Sequence, residues 1–130
     1  MANYRGYLKD KNANQLNVNT QPYEVFYAEA VSMTITPEKS GILDISFYWN
    51  GWSYGGTVAL VDLVCTSGGA TPLITQPCGI QGQDTILRQL SIRGLFQVTG
   101  GVTYTFTRSF LSGGNGSTQQ PKGIAILYRN

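Results

Sequence analysis

Histidine is absent from this 130-residue chain. Its absence removes the commonest general base and the commonest metal ligand, and with them Ser-His-Asp, Cys-His and His-metal chemistry. Charge is scarce too. Asp, Glu, Lys and Arg make up 12% of the residues, about half the share that ordinary globular domains carry, so long charged helices are not expected. Cysteine occurs twice, as Cys65 and Cys78, too seldom for a disulfide scaffold or a thiolate zinc site. No apolar run approaches the roughly 20 residues of a membrane span. The opening segment holds Arg5, Lys9, Asp10 and Lys11 and lacks the apolar stretch of a signal peptide. The expectation is one soluble domain with no export address, no membrane partner, no metal and no cofactor.

What is present is a surface of Thr, Ser, Gln and Asn, with 16 Gly, 5 Pro and 12% aromatic residues. The net charge is +2, and the whole imbalance lies in residues 1–20, where Arg5, Lys9 and Lys11 face Asp10 alone. Three separated bases fall short of the clustered patch that phosphate-backbone binding needs, so nucleic acid is not an expected partner. Five of the eight Asn residues also sit in this segment, which closes at Gln21-Pro22. Asp10-Lys11-Asn12-Ala13-Asn14 is turn material between Gly6-Tyr7-Leu8-Lys9 and Gln15-Leu16-Asn17-Val18. Residues 1–24 therefore read as an arm, a weak hairpin or extended segment that must lie against something else.

Residues 25–130 read as one domain of short strands. Leu43, Ile45, Phe47 and Trp49 alternate with Asp44, Ser46 and Tyr48, the period of a strand with one buried face. From Val102 to Phe110 the pattern is stricter: Tyr104, Phe106 and Phe110 hold even positions and Thr103, Thr105, Thr107 and Ser109 odd ones. Further strands are expected at about 31–36, 56–65, 71–76, 85–93, 95–98 and 123–128, with turns at Pro37–Gly41, Thr66–Gly69, Thr99–Gly101 and Ser112–Gly116. No segment holds a helical period. The fold class is all-β, an antiparallel β-sandwich of jelly-roll type with a short N-terminal arm.

Thr-Ile-Thr-Pro-Glu-Lys-Ser-Gly-Ile-Leu-Asp-Ile-Ser-Phe at 34–47, Gly-Leu-Phe-Gln-Val-Thr-Gly-Gly-Val-Thr-Tyr-Thr-Phe at 94–106 and the closing Gly-Ile-Ala-Ile-Leu-Tyr-Arg-Asn together resemble the trimeric jelly rolls related to tumour necrosis factor and the complement globular heads. Such jelly rolls also form the heads of many bacteriophage fibre proteins. The opening Tyr-Arg-Gly-Tyr-Leu-Lys-Asp-Lys-Asn-Ala-Asn-Gln-Leu-Asn-Val is similar to the segment that joins such heads to the particle. The resemblance implies a homotrimer with one sheet of each protomer turned to the axis. It also implies a virion location after assembly in the host cytoplasm, and anchorage to capsid or tail proteins through Tyr4, Arg5, Tyr7, Leu8, Lys9 and Lys11 of the arm.

Tyr48-Trp49-Asn50-Gly51-Trp52-Ser53-Tyr54-Gly55-Gly56 is the densest chemical signal. Parity puts Trp49 in the core, and the strand is expected to end near Asn50 and Gly51. Trp52 and Tyr54 then belong to a loop where their rings could stack on a host-surface glycan, with Asn50 and Ser53 bonding its hydroxyls. Packing between subunits or in the core is the competing reading. Cys65 and Cys78 are expected as free thiols, the alternative being a disulfide across the intervening excursion. Asp44, Asp62 and Asp84 could in principle form a glycosidase pair, yet their spacing demands none, and acids on solvent faces or paired with Arg88, Arg93 or Arg108 suffice. Asn115-Gly116-Ser117 matches a glycosylation acceptor and is incidental without secretion. The expected function is non-enzymatic: a phage virion structural protein, as head fibre, capsid decoration or tail fibre. The alternative is a cellular carbohydrate-binding or adhesin module; a Met1 start and an apolar closing strand favour the complete virion protein.

Overall fold

The computed structural model describes residues 5–9, 15–19, 21–53, 58–75, 78–81, 88–112 and 116–129, all of them strand, turn or loop. In chain order the strands are β1 (Arg5–Lys9), β2 (Gln15–Asn19), β3 (Pro22–Ala28), β4 (Ser32–Ile35), β5 (Gly41–Ser53), β6 (Val58–Ser67), β7 (Thr71–Thr75), β8 (Cys78–Gln81), β9 (Arg88–Val98), β10 (Tyr104–Ser112) and β11 (Gly116–Tyr128). β1 and β2 pair with each other as a two-stranded hairpin, in the place where turn residues separate two short apolar runs. The other strands form a five-stranded sheet, β3-β11-β5-β9-β7, and a four-stranded sheet, β4-β10-β6-β8.

Four nested antiparallel pairs generate this order: β3 with β11, β4 with β10, β5 with β9 and β6 with β8. Successive pairs fall in alternate sheets, which is the winding of a jelly roll. β7 is an addition on the outer edge of β9.

The core lies between the sheets. From the larger sheet, Leu43, Ile45, Phe47 and Trp49 of β5 and Phe96 of β9 point inward, and Phe106 and Tyr104 of β10 and Leu63 of β6 meet them from the smaller one. The Phe96 and Phe106 rings bridge the layers at 4.8 Å with a 59° tilt, inside the geometry that favours aromatic pairs. The alternation expected in β5 and β10 is therefore the one observed, and Thr105, Thr107 and Ser109 lie on the outer side. Arg108 shares the inward series with Tyr104 and Phe106. Its guanidinium lies 4.6 Å from the centre of the Trp49 ring, a cation–π contact inside the sandwich.

Several boundaries differ from the sequence expectation, each for a tertiary reason. β5 does not end near Asn50; it continues through Gly51 and Trp52 to Ser53, because β11 pairs it along that length and β9 pairs it as far as Gly51. Ladder hydrogen bonds on both sides outweigh the local Asn-Gly turn preference. The two strands expected at 85–93 and 95–98 are one, β9, running through Gly94. A Cβ there would come within 3.0 Å of Leu63 Cδ2 and of Phe96 Cε2, so this glycine serves close packing and does not punctuate.

Two strands, β3 and β8, were not expected. β3 begins at Pro22, within the segment read as arm, and its Tyr23 and Phe26 pack on the core. Glu24 also holds the β4–β5 turn, accepting a 2.7 Å hydrogen bond from the Glu38 backbone N–H. β8 sets the Cys78 backbone opposite Val61. That is four positions along β6 from Cys65, about 13 Å at the rise of a strand, beyond the roughly 7 Å a disulfide can bridge. Cys65 is accordingly a free thiol, donating to the Ser67 carbonyl at 3.0 Å.

Candidate functional site

The two sheets present outer faces of opposite chemistry. On the four-stranded sheet the outward residues of β4 and β10 are hydroxylated, and they bond across the strands: Thr34 with Thr105 at 3.0 Å, and Thr36 with Thr103 at 2.8 Å where the strands lead out. This is a solvated surface.

The five-stranded sheet differs. Its outward positions form cross-strand rows: Tyr27, Ile124, Ser46 and Arg93; then Val25, Ile126, Asp44 and Leu95; then Tyr128, Ile42 and Gln97. Tyr27 is 76% exposed, Tyr48 43% and Val25 41%. Toward β7, Ile42 and Leu95 are covered by Leu73 and Ile74 in a small second cluster. The near-continuous apolar run Ile124-Ala125-Ile126-Leu127-Tyr128 is the sequence signal of a strand with apolar groups on both faces.

Only one ion pair lies among the described residues on this face. Arg93 Nε donates to Asp44 Oδ1 at 2.8 Å and Nη2 donates to Oδ2, a two-pronged contact. That hydrogen bond, with the Asp44 charge, raises the Arg93 pKa above its usual value. The two charges cancel, leaving the centre of the face neutral. Inside the sandwich, burial lowers the Arg108 pKa.

The aromatic segment divides. Trp49 is buried, as parity requires, and Tyr48 faces outward beside Lys122 of β11. Asn50 does not point freely into a loop: its Nδ2 donates to Gln120 Oε1 at 3.1 Å. The backbones of Trp52 and Ser53 lie in β5 opposite Ser117 and Gly116, so the expected loop position of these two is corrected to a strand position. Tyr54 lies outside the described residues. Of the arm, Arg5, Tyr7, Leu8 and Lys9 occupy β1, and Tyr4 and Lys11 lie outside the described residues. Among the described residues no cluster of His, Cys, Asp and Glu could hold a metal, and no helix is long and apolar enough to cross a membrane.

Sequence reasoning missed one concavity. At the end of β3, a cleft of about 260 Å³ is lined by Tyr27, Ala28, Glu29, Lys122 and Gly123.

The jelly roll is similar to that of a phage baseplate chain. The solved structure of the tripod (BppUct-A-L) from the baseplate of bacteriophage Tuc2009 contains a chain that superposes with a TM-score of 0.72 at 22% sequence identity. The likeness covers 82% of the present chain and 63% of that one, so this chain spans less than two thirds of its neighbour's length. At such identity the shared property is the fold. No protein-family profile matches the chain, and no curated protein does.

Proposed function

We propose that this protein is a non-enzymatic structural component of a bacteriophage virion, a jelly-roll head held on the particle by its N-terminal arm and assembled as a homotrimer. The observation that carries this reading is the likeness, over most of the chain, to a baseplate tripod chain. The sequence resemblance to fibre heads points the same way independently.

The contrast between the two outer faces supports the trimer. A hydroxyl-covered sheet can stay in water, whereas a sheet carrying Val25, Ile126 and Tyr128 around a neutralised Asp44–Arg93 pair gains by being covered. Closed symmetric assembly is the common way for a small β domain to bury such a face. Glycan recognition is the role that suits a head exposed at the particle surface.

The direct test is to purify particles from an infection in which the protein carries an epitope tag, and to locate the tag by antibody labelling in electron micrographs. Labelling at the baseplate, tail or capsid is the expected result. Absence from particles would return the protein to the class of cellular adhesin modules.

A further inference from the structure

From the geometry of the cleft at the end of β3, we infer a binding site for a neutral saccharide ring, built from Tyr27, Glu29 and Lys122. The inference rests on the head-domain reading above, but moves glycan contact from the Trp52–Tyr54 segment to a different place in the fold.

The cleft exists because two antiparallel partners differ in length. β3 ends at Ala28, opposite Gly123, whereas β11 runs on toward Gly116 and keeps its pairing with β5. Between Gln119 and Lys122 the register shifts, and Gln120 adopts a φ of 50°. This bulge re-aims the strand at the step β3 leaves behind, as bulges beside binding sites do.

Two features of the lining then converge on one ligand chemistry. Tyr27 is the most exposed large apolar side chain among the described residues, at 76%, although its strand neighbours Phe26 and Ala28 pack inward. An exposed phenol ring offers a flat apolar face that suits the C–H face of a pyranose. Glu29 and Lys122 line the same cleft with opposite charges, yet among the described residues no ion pair joins them and no side chain engages either head. The carboxylate can only accept and the ammonium can only donate, which matches a ring whose hydroxyls do both. Because the two charges sum to zero, the cleft has no preference for a net cation or anion, and a neutral polyol fits it better than a phosphate or an amine. A volume of about 260 Å³ lies just under the usual range for drug-sized ligands, room for a single ring with its neighbour projecting into solvent.

The cleft lies at the end of β3 away from the row of Tyr128 and Ile42. The test titrates the full-length protein with the methyl glycosides of glucose, galactose, rhamnose and N-acetylglucosamine, using methyl phosphate and ethanolamine as charged probes, and follows the Tyr27 ring and Lys122 ε-methylene signals by NMR. At least one glycoside is expected to shift both signals at millimolar concentration, and Tyr27→Ala to weaken its binding by roughly tenfold, the scale of one lost stacking contact. Glu29→Gln and Lys122→Met should each weaken it further. Exposure of Tyr27 means that the variants should keep the melting temperature of the parent. Preference for methyl phosphate or ethanolamine would overturn the neutral-sugar assignment. So would glycoside binding that survives Tyr27→Ala, a lack of response to every glycoside, or a change in assembly mass in Tyr27→Ala, which would make the cleft a contact between copies. Parent protein present on particles at normal occupancy yet unresponsive to every glycoside would refute the site and leave the virion reading standing; absence of the parent protein from particles refutes that reading by itself.

Discussion

Phe106 has no exposed surface and meets Phe96 across the sandwich, so its removal is felt by both sheets. Truncation of a buried Phe leaves a cavity as well as losing transfer energy, a cost of about 3–5 kcal/mol. Phe106→Ala is therefore expected to melt far below Thr105→Ala, whose hydroxyl faces outward and bonds only Thr34 among side chains; equal melting in a thermal scan would contradict the assigned faces. Gly123 tests the opposite error. A Cβ there would come within 2.7 Å of Phe47 Cε1 and 3.0 Å of Met33 Cε, so Gly123→Ala overpacks the core and should cost about 1–3 kcal/mol in denaturant unfolding. The Asp44–Arg93 pair is a lesser term. The Arg93 side chain is 66% exposed, and pairs in contact with water contribute about 0–1 kcal/mol. Its pKa is raised, first by the hydrogen bond to Asp44, so the stabilisation is fully present below the unfolded value and is lost only as pH climbs through the higher folded one. Stability should consequently show no Arg93 transition between pH 5 and pH 9. Asp44→Asn should lower unfolding free energy by no more than about 1 kcal/mol, with a loss that shrinks in high salt.

At the scale of elements, β5 and β11 are the long central strands, and their pairing carries the chain past the points where local signals would stop it. Gly51 and Gly94 both look like strand breakers, and both lie within strands because neighbours on each side supply the ladder and the packing. The β1–β2 hairpin is the contrary case: it pairs with no strand of either sheet among the described residues. Two strands alone are marginal in water, which fits an element whose stability comes from what it docks on. Removal of residues 1–20 leaves β3 to β11 whole, since β3 starts at Pro22. The truncated protein should melt within about 2 °C of the parent, the range of a surface change, while its incorporation into particles is lost. Normal incorporation in a pull-down of purified particles would refute the anchoring role of Arg5, Tyr7, Leu8 and Lys9.

The whole molecule is a sandwich with one wet face and one unfinished face. Light scattering is expected to give a mass about three times the 14.2 kDa of the chain. Val25 offers the cleanest probe of which face associates, because it is 41% exposed in the protomer and a charge there need not disturb the core. Val25→Glu should lower the mass to that of one chain with the strand content by circular dichroism unchanged. Thr34→Glu, on the hydroxylated sheet, should leave the assembly intact. A monomeric parent at micromolar concentration would remove the trimer, and dissociation by Thr34→Glu alone would assign the interface to the other sheet.

How much of this was legible beforehand follows from what a strand pattern encodes. Period-2 alternation reports that one face of a segment is buried, so the inward series of β5 and β10, the all-β class and the β1–β2 hairpin could be read from consecutive residues alone. It carries nothing about which segment lies alongside. The continuation of β5 to Ser53, the fusion of β9 across Gly94 and the edge strand β3 depend on partners far away along the chain, such as β11 closing on β3. The same limit hid the cleft. Glu29 and Lys122 are an unremarkable acid and base in sequence, and only the unequal ends of β3 and β11 bring them with Tyr27 around one space. Composition and local order determined that the chain would be a β-sandwich with aromatic and hydroxylated surfaces; long-range pairing decided which sheet wears which, because the side a residue faces is set by register with a neighbour and not by the residue itself.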